Sequence, residues 1–181
     1  MNYWASNLRI ETPKRRVFYS FHYGNDCWRT QQIRNIGALD GNKPVSANDW
    51  ETLKRTGEAN VKRWINEQLK SRTCTIVLVG EQTATRPFVI YEIERSWTLG
   101  LGVFGIYIHG LEDQNGNTSS IGPNPFNHVN IDGMWYPSST IDIYDAGYKW
   151  GHYSPYNYIA SNISDWIEDA IQKRKRWIPN Y

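Results

Sequence analysis

One stretch narrows the possible folds more than any other. Residues 75–109 read TIVLVGEQTATRPFVIYEIERSWTLGLGVFGIYIH. An apolar run, Thr75 to Gly80, leads through a short polar loop into a Pro-started amphipathic segment, Pro87 to Leu99. A second apolar run follows, Val103 to His109. Strand, helix and strand with short connections read as a parallel βαβ unit, and the loop after its first strand is where such sheets bind ligands. One carboxylate, Glu92, stands one turn inside the helix that this loop feeds.

The flanking sequence repeats the alternation. Arg16–Phe21 is a β-branched and aromatic run that suits a first strand. A tight loop follows, with Asn25 or Asp26 as helix N-cap, and Trp28, Gln32, Ile33 and Ile36 fall at helical spacing up to a stop at Gly37. Residues 38–55 hold several turn formers and read as loop with at most one short strand. Thr56 is placed to cap a helix whose inward face is Val61, Trp64, Ile65 and Leu69. After His109 comes a long polar loop closed by Gly122-Pro123-Asn124-Pro125, then an aromatic stretch suited to short strands or a hairpin. Ile159, Ile163, Trp166, Ile167, Ala170 and Ile171 mark a last amphipathic helix. The expected fold is α/β, a doubly wound parallel sheet with helices on both faces. The expected organisation is a single domain over 1–181, with an N-terminal arm at 1–15, a core at 16–127 and an aromatic-rich C-terminal extension at 128–181.

Several functions are disfavoured. A formal net charge of +2 is too small to make nucleic acid or an anionic membrane the main partner, and KRKR at 173–176 reads as a solvated helix end. No apolar run reaches the ~20 residues that span a bilayer, and the N-terminus lacks a signal-peptide layout. Cys27 and Cys74 are expected to be reduced thiols in a cytoplasmic protein. Gly100-Leu101-Gly102-Val103-Phe104-Gly105 matches G-x-G-x-x-G but ends a helix and opens a strand, the reverse of a dinucleotide fingerprint. There is no P-loop, and the strand ends lack the acidic residues of a phosphate receiver. His22, His109, His128 and His152 are scattered, so no metal site is expected. Ser20 and His22 share a strand face, yet no third residue orients them as nucleophile and base. Nine Trp and twelve Tyr exceed what a small core needs, which suggests stacked ligands, self-association or a Trp-rich core.

Glu92 reads two ways. Phe88 and Glu92 lie one turn apart on a face beside the apolar stripe of Val89, Ile90, Ile93 and Trp97. At the core's edge, an aromatic neighbour would raise the carboxyl's pKa and strengthen its field on a bound cation. The plain alternative is an exposed helix carboxylate pairing with Arg95 or Ser96.

Taken together, RRVFYSFHYGND, TIVLVGEQT, RPFVIYEIERSW, GVFGIYIHGLED and IGPNPF resemble the TIR-like family of bacterial antiphage defence, Thoeris-type members above all. The resemblance covers about Arg16 to Asn127 and implies a flavodoxin-like fold. It also implies NAD as substrate, with no added cofactor, and cleavage of the nicotinamide–ribose bond. The ADP-ribose would be cyclised into a diffusible signal for an NAD-degrading effector protein. The family's catalytic Glu follows a Trp by one helical turn; the matching positions are Glu92 and Phe88, a ring without the indole N–H. Ser20, His22, Gly80 and Thr83, at strand ends, would meet ribose and phosphates. Phe21, Trp50 and Phe88 would stack on the rings, and Asp26 joins the ligand-binding positions. A second copy of the chain or a phage-derived trigger are further partners the family allows. TIR folds also serve as catalytically silent adaptors or nucleotide sensors.

Overall fold

The computed structural model describes residues 14–37, 39–41, 45–131, 134–135 and 140–177. In chain order the first half holds β1 (Arg15–Ser20), α1 (Cys27–Arg34), β2 (Leu39–Gly41), α2 (Ala47–Arg55), α3 (Glu58–Leu69) and β3 (Cys74–Val79). The second holds α4 (Pro87–Thr98), β4 (Gly102–Tyr107), β5 (Asn130–Ile131), β6 (Met134–Trp135), β7 (Ile143–Asp145) and α5 (Pro155–Arg176), with single 3-10 turns at Thr83–Thr85 and Pro125–His128.

Every residue of β3 is buried, as a strand covered on both faces requires. It pairs in parallel with β1 on one side and β4 on the other; β2 adds beyond β1 and β7 beyond β4. The five-stranded sheet, ordered β2-β1-β3-β4-β7, is the flavodoxin-like arrangement, and its winding reverses between β1 and β3. Alternation sorts the side chains into two layers. Cys74, Ile76, Leu78, Phe104 and Ile106 join one apolar cluster with Ile163, Ile167 and Ile171 of α5. Val77, Val79 and Val103 join Val89, Ile93 and Trp97 of α4. β5 and β6 form a separate antiparallel pair. Among the described residues no helix is long and apolar enough to cross a membrane.

The structure alters the expected anatomy in three places. Trp28 is exposed, and α1 buries Arg29 and Thr30 beside the expected Ile33. Arg29 can be buried because its guanidinium donates to the carbonyls of Leu111 and Asn117, which fastens the long polar loop. Residues 47–55, expected as loop, form α2: Ser46 caps it, accepting from the Asp49 N–H. Thr56 ends that helix rather than starting α3, because Gly57, at φ 99°, makes the turn between them. The C-terminal region holds the expected final helix, α5, which packs on β4 as β7 does. The basic helix end is partly engaged, Lys173 with Asp142 at 2.8 Å and Arg174 with the Trp97 carbonyl. Of the expected N-terminal arm, residues 1–13 lie outside the described residues.

β4 and α5 approach so closely that Gly102 has no room for a side chain. A Cβ there would sit 2.7 Å from the Ile171 backbone nitrogen. Gly102→Ala should therefore lower stability by about 1–3 kcal/mol through overpacking. A urea titration should show a lower midpoint with an unchanged slope.

Candidate active site

The reversal point between β1 and β3 leaves a crevice at the carboxyl ends of the strands, and three segments wall it. After β1 come Phe21, His22, Tyr23 and Gly24; α2 brings Trp50, Glu51 and Lys54; the start of α4 brings Arg86 through Val89, with Glu92 one turn deeper. They enclose a cavity of about 240 Å³. One wall is aromatic: Tyr23 stacks on Trp50 at 4.5 Å, Phe21 leans on Tyr23 at 4.3 Å, and Phe88 meets Trp50 edge-on at 5.7 Å.

Glu92 is 2 % exposed, deeper than the sequence suggested. Pro87 at the first helical position sets the register of α4 that carries it inward. Its partner is neither Arg95 nor Ser96 through the side chain. The hydroxyl of Ser20, on the last residue of β1, donates to Glu92 Oε2 at 2.5 Å. Ser96 donates instead to the Glu92 backbone carbonyl. Burial pushes the Glu92 carboxyl up to about 8, against the opposing pull of the Ser20 hydrogen bond. No Lys, Arg or His forms an ion pair with it among the described residues. At pH 7 Glu92 is therefore mainly the neutral acid.

Of the residues singled out in the sequence, Phe21, His22, Trp50, Phe88 and Glu92 meet in the cavity wall, and Ser20 lies behind Glu92. Asp26, Gly80 and Thr83 do not line it. They brace the loop after β3: the Gly80 N–H donates to Thr83 Oγ1 at 2.9 Å, and the Asp26 carboxyl lies where a Gly80 side chain would be. Burial first, then Glu81, raises Asp26 to about 6, with Arg29 opposing more strongly than Glu81. Gly122 closes down on the same loop, so near the Gly80 carbonyl that a Cβ would stand 2.1 Å from it. Tyr23, Glu51, Lys54 and Arg86 are lining residues that sequence reasoning passed over. The Ser46-x-x-Asp49 capping pattern was the signal that would have turned the expected loop into a helix and placed Glu51 and Lys54 on it. His22 lies below its ordinary range, lowered by burial and then by Arg86 and Lys54, so its imidazole is neutral at pH 7. Among the described residues no three His, Cys, Asp or Glu side chains converge as a metal site would need.

Residues 18–113, more than half of the chain, match the family described as "Thoeris protein ThsB, TIR-like domain". The chain belongs to the ThsB TIR-like family. Every cavity-lining residue falls within that span. A Bacillus cereus (strain MSX-D12) protein named "Putative cyclic ADP-D-ribose synthase ThsB1" is 33% identical over 192 residues, covering 91% of this chain and 98% of its own length.

The buried carboxyl leaves a signature in stability that needs no ligand to be measured. Glu92 ionises near 4.5 when exposed and near 8 when folded. Below pH 4.5 both states are protonated and no penalty applies. Between the two values the unfolded chain ionises first, so stability falls as pH rises, and it levels off above about 8. At about 1.4 kcal/mol per pH unit the full penalty is on the order of 5 kcal/mol. Glu92→Gln should thus melt higher than the wild type at pH 8–9, by roughly 2–4 °C per kcal/mol relieved, with the gap closing toward pH 4.5. Differential scanning calorimetry across that range checks it.

Proposed function

We propose that this protein cleaves NAD at the nicotinamide–ribose bond and closes the remaining ADP-ribose into a cyclic product. The observation that carries the reading is a buried carboxyl group, hydrogen-bonded to Ser20 and ion-paired with no cation among the described residues, that lines an aromatic cavity. Membership of the ThsB family and the name of the Bacillus cereus relative support it.

The chemistry fits the groups present. NAD carries a cationic pyridinium ring, and a buried acid with a pKa near 8 gives up its proton when such a cation docks beside it. The C1′–N1 bond then breaks with its electron pair leaving on nitrogen, so nicotinamide departs neutral without needing a proton. The positive charge moves to C1′ and the ring oxygen, beside the Glu92 carboxylate. A fixed carboxylate in a dry site stabilises that oxocarbenium far better than water would. For ring closure, a nucleophile elsewhere in the same ADP-ribose bonds to C1′ and passes its proton to Glu92, restoring the resting acid. Ser20 holds one carboxylate oxygen in place, which fixes the angle of the other. The aromatic wall stacks on nicotinamide and shields C1′ from water, which favours closure over hydrolysis. An adaptor with no ligand would gain nothing from a buried acid that lacks a cationic partner. In the Thoeris setting the cyclic product is the diffusible message to an NAD-degrading effector.

Incubation with NAD followed by chromatography should yield nicotinamide and a cyclic ADP-ribose. Glu92→Gln should cut turnover on the order of 10²–10³-fold, the scale for losing a charge-stabilising group. Full turnover by that variant would remove Glu92 from the chemistry. The pH profile is a separate check. kcat/KM, which reports the free enzyme, should rise with pH up to about 8, whereas the kcat limb should lie lower because bound pyridinium favours the carboxylate. Ser20→Ala removes the hydrogen bond that favours ionisation, so its kcat/KM limb should move to higher pH.

A further inference from the structure

The rim of the Glu92 cavity carries two cations that breaking a nicotinamide–ribose bond does not require. Lys54 projects from α2 and Arg86 immediately precedes α4, and both line the opening. Both bear on His22, whose imidazole they help hold neutral. Arg86 Nη2 donates to Gln82 Oε1, and Arg86 is ion-paired with no carboxylate among the described residues. Its Nε and the Nδ1 of His22 are buried without a hydrogen-bond partner. Such orphaned polar atoms are uncommon and call for an explanation. Lys54 pairs with Glu51 at 2.6 Å, so Glu51 competes for it. The first turn of α4 lacks both an acidic residue and a side-chain cap, which leaves its positive end facing the same opening.

The cavity therefore has two electrostatic ends. Its floor holds an acid suited to a cation, its wall is aromatic, and its mouth is positive. At about 240 Å³ it falls below the range of roughly 300–1,000 Å³ that encloses a drug-sized ligand. A cavity of that size has room for one end of a dinucleotide, whose phosphates would then lie at the mouth. We infer that Lys54 and Arg86 form the subsite for the diphosphate of the bound dinucleotide, with Glu51 limiting its strength. This rests on the reading of the cavity as an NAD site. It assigns the anionic half of the ligand to residues with no part in bond cleavage.

ADP-ribose is the suitable probe, because it carries the diphosphate and ribose but has no nicotinamide to lose. Titration calorimetry would compare the wild type, the double variant Lys54→Gln/Arg86→Gln, and Glu51→Gln, with adenosine as the uncharged control. Charge-assisted hydrogen bonds of this kind predict at least about a tenfold loss of ADP-ribose affinity in the double variant, with adenosine binding unchanged. Glu51→Gln should bind ADP-ribose more tightly than the wild type, a gain that misfolding cannot mimic. Wild-type affinity should fall with added salt. Equal affinity in wild type and double variant would overturn the subsite, as would a wild type that fails to bind ADP-ribose at all. Since ADP-ribose binding does not need Glu92 to react, the two readings fail separately. Binding through the cations without NAD consumption would leave the subsite standing and remove the cleavage reading. Glu92-dependent NAD consumption with cation-independent ADP-ribose binding would do the opposite.

Discussion

Setting a carboxyl group between β1 and α4, with a single hydroxyl as partner, is the constraint on which the site depends. Ser20 and Glu92 are both buried, and their 2.5 Å hydrogen bond links the end of a central strand to the second turn of a helix. A fold optimised for stability alone would place an aliphatic side chain there. Retaining an acid whose pKa is raised to about 8 makes the protein less stable at neutral and alkaline pH than it need be. Under the proposed function that deficit becomes useful when the cationic ring of NAD enters, because the ligand supplies the charge that the interior withholds.

The rest of the structure serves that placement. The parallel sheet reverses its winding between β1 and β3, which opens a crevice at their carboxyl ends. Pro87 fixes the start of α4, and the braced loop of Asp26, Gly80 and Thr83, with Gly122 wedged against it, fixes where that helix begins. Precision at Glu92 thus comes partly from residues that never face the cavity. α2 closes the crevice from the other side and contributes both an aromatic surface, Trp50, and a charge, Lys54. Two helices that meet through Gly57 can set that wall at an angle no continuous helix would allow.

How much of this was legible in the sequence depended on the range of the interaction. β3, α4 and β4 were readable because periodicity and a helix-starting Pro are local signals, and α5 was readable from its apolar stripe. The parallel order followed from alternation alone. Glu92 was visible as a candidate but its depth was not, since Ser20 lies 72 positions away and no local rule joins them. α2 was missed because Pro44 and several turn formers obscured a short helix whose real signal was Ser46 and Asp49. Trp28 misled because its spacing was helical, while the buried face was built around Arg29 and backbone carbonyls far along the chain. Gly80 and Thr83 follow the end of β3 and Asp26 precedes α1; all three brace the loop after β3 and none lines the cavity. Position narrows a role without assigning it.

The central claim is that Glu92 rests as a neutral acid and becomes a carboxylate when a pyridinium dinucleotide binds. Calorimetric titration with a carbocyclic NAD analogue, which binds but cannot release nicotinamide, measures this directly when repeated at pH 7 in buffers of different ionisation enthalpy. The wild type should release about one proton per analogue bound, and Glu92→Gln none. Binding without proton release by the wild type, or identical release by the variant, would contradict it.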